Sequence, residues 1–77
     1  MLLNFSISNF GFGQMPEATW RCKAAYSRME AVSEFITAAQ DCSYERLELW
    51  DDDGGWMVAV AIRYNDGRIE VTVHPPQ

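Results

Sequence analysis

The chain has 77 residues and a formal net charge of -5, and 48% of its residues are apolar, ten of them being aromatic. That supports one thin hydrophobic core near the size where stability becomes marginal, and the acidic balance argues against nonspecific attraction to nucleic acid, whose phosphates demand excess lysine and arginine. The longest apolar run, Met57 to Ile62, is far short of a membrane span, and Met1-Leu2-Leu3-Asn4 has neither a basic flank nor a small-residue cleavage site, so the expectation is a soluble, unprocessed, cytoplasmic single domain over 1–77 with no membrane partner.

From Leu2 to Ser8, Leu3, Phe5 and Ile7 alternate with Asn4, Ser6 and Ser8, the period of a half-buried strand. Asn9 to Pro16 reads as a glycine-punctuated loop. A second strand follows, with Trp20, Cys22, Ala24 and Tyr26 alternating with Thr19, Arg21, Lys23 and Ala25. Ser27-Arg28-Met29-Glu30 fits a capping box, in which the serine hydroxyl accepts from a free helix N–H and the glutamate reaches back. The helix it opens has apolar residues at intervals of three and four (Met29, Val32, Phe35, Ile36 and Ala39) and should end near Gln40, before Asp41-Cys42-Ser43.

Three further strands are expected. Leu47 and Leu49 alternate with Arg46, Glu48 and Trp50; the run from Trp56 to Tyr64 puts Trp56, Val58, Val60, Ile62 and Tyr64 on one face; Ile69, Val71 and Val73 alternate with Arg68, Glu70, Thr72 and His74. A two-residue turn at Asp66-Gly67 would set Tyr64 opposite Ile69, Ile62 opposite Val71, Val60 opposite Val73, and Arg63 opposite Glu70. The expected fold is α+β, a single helix packed on a mostly antiparallel five-stranded sheet in the order β-β-α-β-β-β. One helix leaves one sheet face open, and that face should carry Arg21, Lys23, Glu48, Trp50, Met57, Ala59, Ala61 and Arg63. Its apolar members make it a candidate homodimer surface through Met57, Ala59 and Ala61.

Charge is segregated along the chain. Residues 30–53 hold Glu30, Glu34, Asp41, Glu45, Glu48, Asp51, Asp52 and Asp53 against Arg46 alone. Within that block Trp50-Asp51-Asp52-Asp53-Gly54-Gly55-Trp56 fails as an EF-hand loop, because the sixth and twelfth positions from Asp51 are Trp56 and Ile62 rather than glycine and a carboxylate. As a four-residue hairpin loop, Asp51 to Gly54, the stretch needs one aspartate and a glycine of positive φ. The other two aspartates repel one another and add nothing a turn requires.

Catalytic chemistry finds little footing. The single histidine, His74, reads as a solvated strand end; Cys22 lies on the core face, where a thiolate is unfavourable; Cys22 and Cys42 read as buried free thiols rather than a disulfide or a zinc pair. Gly11 and Gly13 lack a helix start at phosphate-loop spacing. No catalytic residue, cofactor or resident metal is expected, and the chain reads as a non-enzyme, with a small divalent-metal protein using the aspartates as the remaining chemical alternative.

The pattern from Trp20 to Tyr26, the capped Ser27-Arg28-Met29-Glu30-Ala31 leading to Ala38-Ala39-Gln40, Leu47-Glu48-Leu49-Trp50, and two hairpins through Gly67 resembles the anti-CRISPR proteins with which phages and other mobile elements block host interference. The single lysine departs from members with lysine-rich surfaces, so the resemblance implies an acidic mode. In that mode a cytoplasmic inhibitor meets the basic, nucleic-acid-binding surface of a CRISPR effector complex without touching nucleic acid itself. A positive cleft would steer such carboxylates independently of any family. The candidate partner-binding residues are Glu30, Glu34, Glu48, Trp50, Asp51, Asp52, Asp53 and Trp56, with the tryptophans as aromatic anchors. The alternative is a self-associating accessory module using the open sheet face.

Overall fold

The structure is a computed structural model and describes residues 3–11, 15–23, 25–41 and 45–75. Leu2, Gly13, Ala24, Cys42 and Ser43, all used in the sequence reading, lie outside the described residues. The elements in order are β1 (Phe5–Phe10), β2 (Ala18–Arg21), α1 (Arg28–Asp41), β3 (Arg46–Asp51), β4 (Trp56–Arg63) and β5 (Ile69–Val73). The five strands form one antiparallel sheet in the spatial order β2-β1-β3-β4-β5, as the alternation and the capping signal predict. β1 runs on through Asn9 and Phe10, which the sequence assigns to a loop, because both pair with β3 opposite Leu47 and Arg46. β2 is shorter than expected and stops at Arg21.

The capping box forms around Ser27. Its hydroxyl accepts from the Glu30 N–H at 3.2 Å, and the Glu30 carboxylate reaches back to the Tyr26 N–H, so free donors at the helix start are satisfied. The helix buries Ala31, Phe35 and Ala39, one residue per turn, against β3, β4 and β5. Met29 does not join that stripe: it is 79% exposed and lines, with Val32 and Val73, an open groove between the first turn of the helix and β5. Cys22 and Ala25, in the crossover from β2 to α1, close the same core over Phe5 and Ile7, and the crossover is strapped to β1 by Leu3 N–H to Ala25 C=O and Cys22 N–H to Phe5 C=O.

The face of β4 differs from the sequence expectation, and a β-bulge is the reason. The β3–β4 register shifts between Leu49 and Trp50: Trp50 pairs with Met57, but Leu49 pairs with Ala59, so Val58 is the extra residue. Before the bulge Trp56 and Val58 point to the helix side as expected. After it the parity inverts, and Ala59 and Ala61 go inward, opposite Leu49 and Leu47, while Val60 and Ile62 go outward. Ala59 and Ala61 are 0% and 2% exposed and Ile62 is 37% exposed. Arg63 likewise belongs to the helix side and not to the open face.

The same shift continues into β5. Arg63 pairs with Ile69, Ile62 with Glu70, Ala61 with Val71 and Ala59 with Val73, not Ile62 with Val71. The connecting loop has three residues, Asn65 to Gly67: the Gly67 N–H donates to Tyr64 C=O and the Tyr64 N–H to Arg68 C=O. Gly67 has φ +88, the left-handed residue that closes a three-residue hairpin after a type I turn. Apolar residues do meet polar ones on the open side, a mismatch solvent tolerates, whereas the helix side requires Ala61 against Val71.

These parities make a direct test. Ala61→Leu, which forces extra methylenes under α1, should lower stability by about 1–3 kcal/mol, while Ile62→Ala on the open face should cost less than about 1 kcal/mol. Urea midpoints of the two variants measure this; the reverse order would restore the register read from the sequence.

Candidate functional site

The acidic stretch forms the β3–β4 turn, and the structure gives each of its three aspartates a hydrogen bond. The loop has four residues, as expected, but sits one residue later, Asp52 to Gly55, because Asp51 still pairs with Trp56. Asp51 Oδ1 accepts from the N–H groups of Asp53 and Gly54, each at 3.0 Å, and its carbonyl accepts from the Gly55 N–H at 2.7 Å. That is the turn-capping role of a single aspartate. The residue with positive φ is Gly55, not Gly54. At Gly54 a Cβ would lie 2.6 Å from the Trp56 ring, which folds back over the turn, so any side chain there would have to displace that ring.

The remaining aspartates tie the turn to the start of β1. Asp52 Oδ1 accepts from Ser6 Oγ at 2.9 Å and the Asp52 N–H donates to Asn4 C=O at 2.9 Å, while Asp53 Oδ1 accepts from Asn4 Nδ2 at 3.0 Å. Asn4 and Ser6 are therefore hydrogen-bond partners of the stretch that sequence reasoning missed. Their only sequence signal is that they alternate with apolar residues in β1. Both aspartates remain exposed.

The helix carboxylates come to the same end of the molecule. Both oxygens of Glu34 accept from the Lys23 N–H at 3.0 Å, and Glu30 holds Tyr26. Lys23 and Tyr26, which they hold, adjoin Cys22 and Ala25, which bond to Phe5 and Leu3 beside the Asn4 and Ser6 anchors of Asp53 and Asp52. Arg21 and Lys23 lie exposed in this neighbourhood, so the end is mixed in sign with carboxylates in excess. Burial pushes the Cys22 thiol up to about 12, with Glu34, both as a charge and as a hydrogen-bond partner, and Asp52 adding in the same direction.

Glu48 and Trp50 turn to the other face of the sheet, Trp50 opposite Ser6 and Glu48 opposite Ser8. They lie on the open sheet face, where Glu48 accepts from Trp50 Nε1 at 3.0 Å and pairs with Arg46 Nε at 3.2 Å. The Arg46 guanidinium stacks 4.3 Å from the centre of the Phe10 ring, and Ser8 and Thr19 share a hydrogen bond beside them at 2.9 Å. Glu48 is thus an internally neutralised carboxylate. Of the residues expected to make a homodimer face, Ala59 and Ala61 are buried beneath α1 and cannot contribute. Met57 is half-buried on the open face, and Val60 and Ile62 occupy the positions the alanines vacate.

Among the described residues no three His, Cys, Asp or Glu side chains are grouped to hold a metal ion, and the aspartate oxygens named above face Asn4, Ser6 and turn N–H groups. His74 is half-buried rather than solvated, with Nε2 shielded from solvent, its N–H on Val58 C=O and its carbonyl taken by Arg28. No described helix is long and apolar enough to cross a membrane. No family model, curated protein or solved structure matches this chain.

The thiol supplies a pH test. Because the folded Cys22 keeps its proton up to about 12 while its ordinary value is 9.0, its contribution to stability is full below that ordinary value. It is lost as pH rises from there toward the folded value, since only the unfolded chain sheds the proton. In a Cys42→Ser background, denaturant titrations should show the advantage over an added Cys22→Ala shrinking above about pH 9, by at most on the order of 1.4 kcal/mol per pH unit. A pH-independent difference between the two would show that the thiol titrates normally. A thiol reagent should label Cys22 only as fast as the chain unfolds.

Proposed function

We propose that this chain is a non-enzymatic interaction protein whose acidic β3–β4 hairpin end engages a basic surface, acting as an inhibitor of anti-CRISPR type that occupies the nucleic-acid-binding cleft of a CRISPR effector complex. The observation that carries the reading is the preorganisation of the turn. Asp51, Asp52 and Asp53 are adjacent like charges, a costly arrangement, yet each is held by one oxygen in a loop tied to β1. Asp52 and Asp53 remain exposed at the tip of that loop. A carboxylate array fixed before binding loses little conformational entropy on meeting a lysine- and arginine-rich cleft.

Two neighbours support the same reading. Trp56, 39% exposed and laid over Gly54, is a rigid aromatic beside the charges, a residue type enriched at binding hot spots. Glu34 lies at the same end through its hold on Lys23. Glu48 and Trp50, satisfied by each other and by Arg46 on a different face, are left out of the proposed contact. The acidic end would steer association electrostatically, so binding weakens as salt rises.

The test exploits what asparagine keeps. In Asp52→Asn/Asp53→Asn the amide oxygens still accept from Ser6 and Asn4, so the turn survives while two charges disappear. The double variant should keep the parent's urea midpoint and lose at least about tenfold in its ability to compete with DNA for a purified CRISPR effector complex, the effect of about 1.4 kcal/mol. Competition equal to that of the parent would remove the hairpin from the contact. An absence of competition by the parent itself would remove the effector as partner.

A further inference from the structure

We propose that the exposed edge of β5 is a self-association site, at which a second copy of this chain adds its own β5 antiparallel, centred on Val71. The hydrogen-bond pattern identifies which groups are free. Arg68 C=O is taken by the Tyr64 N–H, and the His74 N–H reaches Val58 C=O, so positions 68 and 74 face β4. The ladder between them is regular. Alternation then turns Glu70 and Thr72 toward β4 and leaves the N–H and C=O of Ile69, Val71 and Val73 pointing out of the sheet. β5 is an edge strand by topology, with no proline, lysine or bulge within it to block pairing. The opposite edge, β2, is shorter and ends in the exposed Arg21, with Lys23 following.

The register follows from counting bonds and charges. Centred on Val71, the pairs Val71 with the partner's Val71, and Ile69 with the partner's Val73 in both directions, are all of the hydrogen-bonded kind and close every free group of the edge. Centring on Glu70 or Thr72 closes only the groups of two of those three residues, and Glu70 would also set the two carboxylates directly opposite one another. Centring between residues puts the apolar side of one strand against the polar side of the other. In the favoured register Glu70 lies opposite the partner's Thr72, and the two glutamates are diagonal and solvent-exposed.

Side chains reinforce it on the helix face. Val73, 44% exposed, and Met29, 79% exposed, line with Val32, Ser27 and Arg28 an apolar groove of about 450 Å³ along this edge. The partner's Ile69, next to Val73 in the ladder, is placed beside that groove, and the two-fold axis gives the same contact twice. The product is a continuous ten-stranded sheet with both helices on one face. It leaves the acidic hairpin end untouched, so this association stands or falls independently of the proposed function.

Amide hydrogen exchange tests the pairing without any substitution. Between about 10 μM and about 1 mM protein, protection of the Ile69, Val71 and Val73 amides should rise at least about tenfold, while the Glu70 and Thr72 amides, already bonded to β4, stay protected throughout. Sedimentation over the same range should show monomer passing to dimer. Val73→Pro, which removes one outward N–H at a position where an edge strand tolerates proline, should remain monomeric at the higher concentration. Free exchange at Ile69, Val71 and Val73 at every concentration overturns the proposal, as do species that grow beyond a dimer, which would mean that β5 meets some other strand.

Discussion

A single fourteen-residue helix has to cover the core side of a five-stranded sheet, and the constraint is met by letting helix and sheet approach closely. The surfaces in contact are Ala31, Phe35 and Ala39 from the helix and Ala59 and Ala61 from β4, with Leu47 and Leu49 beside them. Four alanines keep the layers close, and Phe35, fully buried, supplies the volume between them. Large branched residues at 59 and 61 would lift the helix off the leucines. The extra residue Val58 is what delivers the alanines to that face: without the bulge β4 would present Val60 and Ile62 to the helix.

Much else follows from that one inserted residue. It sets the parity of β4, hence the register of β5, hence the three-residue turn that only a left-handed Gly67 closes. It also decides the character of the uncovered face. Instead of small alanines flanked by arginine, that face carries Val60 and Ile62 beside the linked set Phe10, Arg46, Glu48 and Trp50, in which ring stacking, ion pair and indole hydrogen bond neutralise one another. The charges of that face are thus compensated within it, although Arg46 Nε makes no hydrogen bond there. Backbone groups that no strand pairs lie instead at the edges of the sheet, β5 being one of them.

The acidic block divides by the same geometry. Consecutive strand residues point to opposite faces, so Glu48 is separated from the helix carboxylates although all belong to one stretch of sequence. Asp52 and Asp53 escape that alternation because they follow the last paired residue, Asp51, into the turn. The surplus aspartates, which the turn by itself does not require, serve as acceptors for Asn4 and Ser6 and join the β3–β4 turn to the start of β1 in the same sheet. Their charge is then displayed from a fixed support.

By itself the sequence determined the element order, the α+β class, the Ser27 cap and the span of α1, because these rest on local periodicity and on hydrogen bonds between near neighbours. It also determined that the Asp-Gly stretch is a four-residue hairpin loop and that Cys22 is a buried thiol. It could not determine the strand order, the bulge or the face of β4. An alternating run such as Val58-Ala59-Val60-Ala61-Ile62 offers two apolar sides, and hydrophobicity alone favours the larger side chains. Only the tertiary structure weighed that preference against the space beneath the helix, which admits alanine. The partners of Asp52 and Asp53 were hidden for a related reason: Asn4 and Ser6 lie more than forty positions away, and nothing local in either segment records the contact that strand order brings about.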